Sequence, residues 1–354
     1  KGKTSKILTL NTLSGKLCMK ECGKIVEELS EMDVNQISDT IPKNFGIVSK
    51  LRAAYEESET FKAYADKYPK VYKIAKKLEG LNKNTGVHPS GISISFYDLE
   101  DIMPLQLTND DALVSGYDMN DVASLSVKFD ILGLRTLSVV HDVCKQIGIQ
   151  ASDINPHDEI IYTALSDLRS PQGLFQIEAE TNYKVCKLIA PQNLEQLSAV
   201  VAIARPGALD FKDRYATYVR TGDFQSVHEY FDDILSYTGG IPLYQEQLMK
   251  MAVKVGFSLD EAEQLRRIVG KKKVDQMPAW KAKIEQKIQQ NKLESNIGDV
   301  LWRVAEDSAN YSFNKSHSIS YAYLAAVTVY LKFTYPQEFF LSLLKYAKYE
   351  PNSH

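Results

Sequence analysis

The apolar residues of this chain change period twice, and that alternation decides the fold class. Residues 12–82 read as helical. Pro69 opens a clear helix in which Val71, Ile74, Ala75 and Leu78 share a face, and Gly80 stops it. Lys70, Lys73, Lys76 and Lys77 crowd the same helix, several on its outer side. The period then drops to two. Gly91-Ile-Ser-Ile-Ser95 alternates, as do Leu125, Val127, Phe129 and Ile131 against Ser126, Lys128 and Asp130, so both segments predict strands. The acidic stretch between them, with Asp110, Asp111, Asp118 and Asp121, predicts a solvated connection. After Thr136, an expected N-cap, helical spacing returns over 136–147, 159–168, 178–190, 193–204, 245–256, 259–270, 274–292, 297–309, 317–333 and 336–348. Ser258 and Glu261 have capping-box spacing, and Arg205-Pro-Gly207 and Gly239-Gly-Ile-Pro242 read as turns. The expected class is α+β: mostly helical, with one small sheet, in about two or three domains.

Composition narrows the function. A net charge of −3 gives no overall attraction to a polyanion, so any nucleic-acid site is a local patch. Cys18, Cys22, Cys144 and Cys186 form no Cys-x-x-Cys and no disulfide framework, and no histidine near Cys18 and Cys22 completes a metal set. They read as reduced, structural thiols. With no long apolar run and no signal peptide, a cytosolic protein is expected. The first residue is Lys1 rather than Met, which fits a processed product or one piece of a longer protein.

Four segments carry chemistry. On the strand over 124–132, Lys128 and Asp130 stand on one face, two residues apart. Phosphoryl transfer needs such a pair, because carboxylates hold Mg²⁺ and a cation meets phosphate charge. From the strand alone, a salt bridge on a solvated face is the better account. Asn84-Thr-Gly-Val-His-Pro-Ser-Gly91 is turn-rich, and its small residues let a phosphate approach the backbone beside His88. A tight turn with a packed histidine explains it equally well. Arg266 to Lys292 holds nine Lys or Arg against two acidic residues. There Arg266 and Arg267 can fork onto phosphate oxygens, and Lys271, Lys272 and Lys273 would meet a polyanion or simply be solvated. Lastly, Tyr311-Ser-Phe-Asn-Lys-Ser-His-Ser318 sets Asn314, Lys315 and His317 at a helix N-terminus, a natural anion site, although N-capping by Ser316 or Ser318 would also account for it. A Ser/His hydrolase is excluded, since there is no Gly-x-Ser-x-Gly elbow and Ser316 and His317 are chain neighbours.

In sequence order, the chain reads Lys128-Phe-Asp-Ile-Leu-Gly-Leu-Arg-Thr136, Gly173-Leu-Phe-Gln-Ile-Glu178, Ala204-Arg-Pro-Gly207 and Leu243-Tyr-Gln-Glu-Gln247. Leu265-Arg-Arg267 with Gly270-Lys-Lys-Lys273, Phe313-Asn-Lys-Ser-His-Ser318, Tyr330-Leu-Lys332 and Tyr335-Pro336 follow. Any one is weak; together they resemble the family-C DNA polymerases, the bacterial DNA polymerase III alpha subunits, over nearly the whole chain. Leu-Phe-Gln-Ile-Glu is similar to the DnaE branch, and His88-Pro-Ser-Gly91 is closer to PolC. The resemblance implies a polymerase-beta-like palm with an inserted helical thumb, and helical fingers. Lys1–Thr9 would end the first palm segment, about 10–80 would be the thumb, 81–135 the second palm segment, and 136–354 incomplete fingers. Asp130 would be the third metal-binding aspartate, and Lys128 a triphosphate contact. Arg205, Arg266, Arg267, Asn314, Lys315 and His317 would surround the incoming nucleotide, as His88 would from the palm side. The lysines of the 10–80 helices would hold duplex DNA.

One departure stands out. The family's Pro-Asp-x-Asp motif, which bears the other two metal aspartates, lies upstream of where this chain begins, and Asp98, Asp101, Asp110, Asp111 and Asp118 do not replace it. The PHP domain before it is not here either, nor are the rest of the fingers, the clamp-binding region and the OB domain after it. The expectation is therefore part of a Mg²⁺-dependent DNA-directed DNA polymerase, nearly inactive alone. Its partners would be primed template DNA, dNTP, a second polypeptide carrying Pro-Asp-x-Asp, and a sliding clamp with other replisome proteins. The setting would be the cytoplasm of a bacterial or phage-infected cell. The rivals are a catalytically inactive DNA- or nucleotide-binding subunit and a structural replisome or phage assembly protein.

Overall fold

The computed structural model describes residues 2–44, 47–108, 111–270 and 277–347. It divides into two compact units, Lys1–Gly133 and Leu134–His354.

The first unit opens with β1 (Thr4–Thr12) and then departs into helices. These are α1 (Gly15–Val26) and α2 (Glu31–Asp39), a short ribbon of β2 (Lys43–Asn44) and β3 (Ile47–Val48), then α3 (Leu51–Glu57), α4 (Glu59–Lys67) and α5 (Pro69–Leu78). The chain returns as β4 (Asn82–Ile94), β5 (Leu105–Leu107), β6 (Leu113–Asp118), α6 (Met119–Leu125) and β7 (Val127–Asp130). The sheet order is β5-β6-β1-β4-β7, with β1 antiparallel to β4 and parallel to β6, and β7 on the edge. The helical insert leaves the sheet through a narrow neck, where Leu13 N–H donates to Leu81 O (2.9 Å) and Gly80 N–H to Leu13 O (2.9 Å). Beyond it, Cys18, Met19, Cys22, Ile37, Leu51, Phe61, Val71 and Ala75 form their own core. Burial pushes the Cys18 thiol up to about 11, which keeps it protonated. The four cysteines are free and buried, as expected.

Three expectations are corrected here. The acidic stretch is not a loop: it forms β5, β6 and α6, because Val114 and Val122 are buried and Asp118 caps α6 through Asn120 N (2.8 Å) and Asp121 N (3.3 Å). Asp110 lies outside the described residues. Leu125 consequently ends a helix, and the strand is shorter, Val127–Asp130. The turn-rich segment 84–91 lies within β4, whose pairing with β1 jumps from Leu8↔Val87 to Lys6↔Ile92 and so bulges out His88–Gly91.

The second unit is helical. Its elements are α7 (Arg135–Ile147), α8 (Glu159–Ser166), α9 (Glu180–Ile189), α10 (Leu194–Ile203), α11 (Lys212–Thr221), α12 (Asp232–Leu235), α13 (Gln245–Val255), α14 (Leu259–Gly270), α15 (Met277–Gln290), α16 (Ser295–Tyr311), α17 (Lys315–Thr334) and α18 (Pro336–Lys345). Ala322, Ala325 and Ala326 on α17 share a core with Ala199, Val200 and Ile203 on α10, where small residues allow close helix packing. A second core gathers α13–α16 around Leu248, Met251, Leu265, Trp280 and Leu301. The Ser258/Glu261 capping box is present, at 2.9 and 3.2 Å. Thr136 is not a cap: α7 begins at Arg135 after Leu134, with no side-chain cap. Helix α11 was not expected, because only Tyr215 and Ala216 of its ten residues are fully buried and the periodic signal is weak.

Between α12 and α13 the Gly239-Gly240 turn packs tightly. Gly240 has φ +73°, and a Cβ there would lie 2.0 Å from Gln225 O. Gly240→Ala should therefore cost about 2–4 kcal/mol in chemical unfolding of the chain. An unchanged midpoint would mean that the turn relaxes freely.

Candidate nucleotide and metal site

On the edge of the first unit's sheet, β7 pairs with β4 so that Asp130 lies opposite Gly91 and Lys128 opposite Ser93. Directly paired residues share a face, so Lys128 and Asp130 emerge together beside the bulge. Lys128 Nζ donates to both Asp130 oxygens (2.7 and 2.6 Å), and Ser90 Oγ donates to Oδ1 (3.4 Å). The lysine's hydrogen bond holds the Asp130 carboxyl below the usual carboxylate range. His88 Nδ1 lies 4.0 Å from Asp130 Oδ1. That contact is not a hydrogen bond, since Nδ1 already accepts from Gly91 N (2.6 Å) and Ser90 N (3.3 Å). An accepting Nδ1 places the imidazole proton on Nε2, assigned here from its partners. Gly91 is required beside it: a Cβ would come 2.8 Å from His88 Nδ1. The apolar side of the strand is not covered within this unit, for Val127 and Phe129 are 50% and 51% exposed.

Among the described residues no group of three or more His, Cys, Asp or Glu could hold a metal ion. Mg²⁺ demands a near-octahedral oxygen shell. Asp130 supplies one carboxylate, both of whose oxygens Lys128 engages. The residues described do not fit a magnesium site on their own.

In the second unit, the segment before α13 runs beside the segment before α17. Phe313 N–H donates to Leu243 O (3.1 Å), and Gln245 N–H to Phe313 O (2.9 Å). Around this bridge the structure gathers most of the expected residues. The Arg205 guanidinium lies over the Phe313 ring at 4.2 Å, and His317 meets that ring edge-on at 5.4 Å. Arg266 donates through Nε and Nη2 to Glu263 (2.6 Å each) and through Nη1 to Gln245 Oε1 (3.0 Å). Arg267 Nε donates to the same carboxylate at 2.7 Å. Hydrogen bonds from Arg266, above all, push Glu263 down to about 2.

The donors read as an open anion site before α17 are already engaged. Asn314 caps the helix by accepting from His317 N (2.8 Å), displacing Ser316 and Ser318 from that role. Glu246 takes Lys315 N (2.9 and 3.1 Å) and Asn314 Nδ2 (2.9 Å). Lys315 Nζ pairs with Glu195 at 3.1 Å. Glu195 and Glu263 were not singled out from the sequence, and Gln245 and Glu246 stood there only inside the Leu243-Tyr-Gln-Glu-Gln247 motif with no role given; Glu263, three and four residues before the arginines, carried a local signal. Lys70, Lys73, Lys76 and Lys77 are exposed on α5, and Lys76 lies over Tyr72. Lys271, Lys272 and Lys273 lie outside the described residues.

Comparison with known proteins matches residues 1–133 to the bacterial DNA polymerase III alpha NTPase domain and residues 136–292 to the bacterial DNA polymerase III alpha subunit finger domain. The DNA polymerase III subunit alpha of Thermus aquaticus is 30% identical over 98% of this chain and 30% of its own length. That of Campylobacter jejuni subsp. jejuni is 32% identical over 97% of this chain and 30% of its own length. That of Treponema pallidum is 32% identical over 94% and 29%. The chain belongs to the bacterial DNA polymerase III alpha family. It spans about 30% of the length of the curated relatives it matches. The two matched family domains divide between residues 133 and 136, close to the boundary of the two structural units at Gly133 and Leu134. No described helix is long and apolar enough to cross a membrane.

The bulge makes one prediction. Long-range ¹⁵N–¹H spectra of the neutral imidazole should show His88 as the Nε2–H tautomer. An Nδ1–H tautomer would mean that the ring does not accept the Ser90 and Gly91 amides.

Proposed function

We propose that this chain is the nucleotide- and DNA-gripping part of a replicative DNA-directed DNA polymerase, which transfers a nucleotide from dNTP to a primer 3′-hydroxyl. The observation that carries the reading is that the family's scattered motifs converge on two clusters. Lys128, His88 and Asp130 meet on one sheet edge. Arg205, Arg266, Asn314, Lys315 and His317 meet around the Leu243–Phe313 bridge.

Asp130 is assigned as one ligand of Mg²⁺, completed by carboxylates of the Pro-Asp-x-Asp type from another segment or chain. Such an ion, when bound, supplies charge neutralisation at the transferring phosphate. The residues in hand do the rest of the gripping. Lys128, released from Asp130, offers a point charge to phosphate, and Arg205 and Arg266 offer planar forks. The α5 lysines meet duplex phosphates, so DNA affinity falls as salt rises. That no group of three or more His, Cys, Asp or Glu among the described residues could hold a metal ion favours one alternative, a subunit that binds DNA and nucleotide without catalysis.

Primer extension separates the two. With Mg²⁺ and four dNTPs the chain alone should extend little, and adding a polypeptide bearing the Pro-Asp-x-Asp segment should restore synthesis. In that active assembly Asp130→Asn should abolish extension and change primed-DNA affinity less than about twofold, since an exposed carboxylate carries little of a polyanion's binding energy. Extension by the variant would remove Asp130 from the metal site. Nucleotide binding without extension alongside any such partner would support the binding-only reading.

A further inference from the structure

Arg266 is held at all three of its guanidinium nitrogens. Of its five N–H groups, Nε–H and one on Nη2 go to Glu263, and one on Nη1 goes to Gln245. Among the described residues one N–H then remains without a partner on each terminal nitrogen, enough for one two-point contact with a phosphate. Both holders are themselves fixed. Glu263 stands on α14 one turn before the arginines, and the Gln245 backbone is bonded to Phe313 O at 2.9 Å. The Arg266 and Glu263 side chains are each less than a third exposed, which limits solvent screening of the pair.

We infer that Glu263 and Gln245 are positioning residues for the incoming triphosphate: they lock the Arg266 guanidinium in one orientation and leave a pair of N–H groups for phosphate oxygens. The inference rests on the triphosphate reading of Arg266 above. It has a competitor of opposite sign. A carboxylate beside an anion site repels the ligand, so its removal would tighten binding if repulsion outweighed orientation. Orientation should win, because a guanidinium freed from Glu263 has several rotatable bonds to fix again before it can fork onto phosphate. Glu263 stays ionised well below neutral pH, so the lock is present whenever nucleotide is.

A double-mutant cycle on the full chain decides the matter, with the Kd of a fluescent-labelled dATP measured with Mg²⁺, deoxyadenosine as the phosphate-free control, and melting temperature as the check on folding. Arg266→Ala should weaken dATP binding about tenfold and leave deoxyadenosine unaffected. Glu263→Gln and Glu263→Ala should weaken it about three- to tenfold, Glu263→Asp should recover part of the loss, and Glu263→Gln should add nothing in the Arg266→Ala background. Gln245→Met, which keeps its backbone bond to Phe313, should show a smaller loss of the same kind if a Glu263 variant fails to fold. If Arg266→Ala binds dATP normally, the triphosphate reading of Arg266 fails. If Arg266→Ala weakens binding but the Glu263 and Gln245 variants bind as tightly as the parent or more tightly, the positioning role is overturned. Additive losses in the double mutant overturn it too.

Discussion

Lys128 grips both oxygens of Asp130, Arg266 and Arg267 share Glu263, and Lys315 leans on Glu195. Each of these four cations is held by an acid of its own unit. The reason is elementary. Cations gathered on one surface repel, and long side chains left unpaired sample many rotamers. An internal carboxylate lowers both costs and fixes where the charge points. The sheet-edge pair depends on β7 lying in register with β4, and the helical cluster on the short bridge between Leu243 and Phe313. Backbone hydrogen bonds therefore set the charge geometry, and the charges set what can bind.

The helical part of this fold was legible because its apolar spacing is strong. Pro69 opens α5, and α14 spans Leu259–Gly270 as expected. The sheet was less so. β6 and α6 carry single buried anchors, Val114 and Val122, among acidic residues, and one anchor is no period. β1 sits in the middle of the sheet, but its partners are a strand seventy-odd residues on and another a hundred on, as in Leu8↔Val87 and Lys6↔Val114. No local pattern reports such pairings. The bulge at His88 was misread as a turn for a related reason: Pro and Gly mark a departure from regular pairing without saying whether the chain reverses or merely bulges.

The site divides along the same line. Lys128 with Asp130, and Glu263 with its arginines, lie within four residues of one another, so strand or helix geometry alone predicts contact. The convergence of Arg205, Gln245 and Arg266 with Phe313 and Asn314 does not follow from any local rule. Glu246 reaches Asn314 across 68 residues, and from sequence the α17 N-terminus looked like an open anion site. Only the tertiary fold shows that a carboxylate of the same unit already stands there. The motifs name the residues that the fold brings together, while no local pattern tells which acid would pair with Asn314 or Lys315.

These restraints differ in strength, and the difference bears on what a ligand can do. Asp130 is 45% exposed, and its pair with Lys128 sits on an open sheet edge. Exposed pairs of this kind contribute about 0–1 kcal/mol, so a ligand that needs either partner has little to displace. Glu263 is less exposed, meets two guanidinium groups and is bonded at both oxygens, and its carboxyl is pushed down to about 2. Breaking that contact would strand charge in a partly desolvated place, which costs far more. The sheet-edge pair is thus suited to opening when its charges are needed elsewhere. The arginine pair is suited to staying closed.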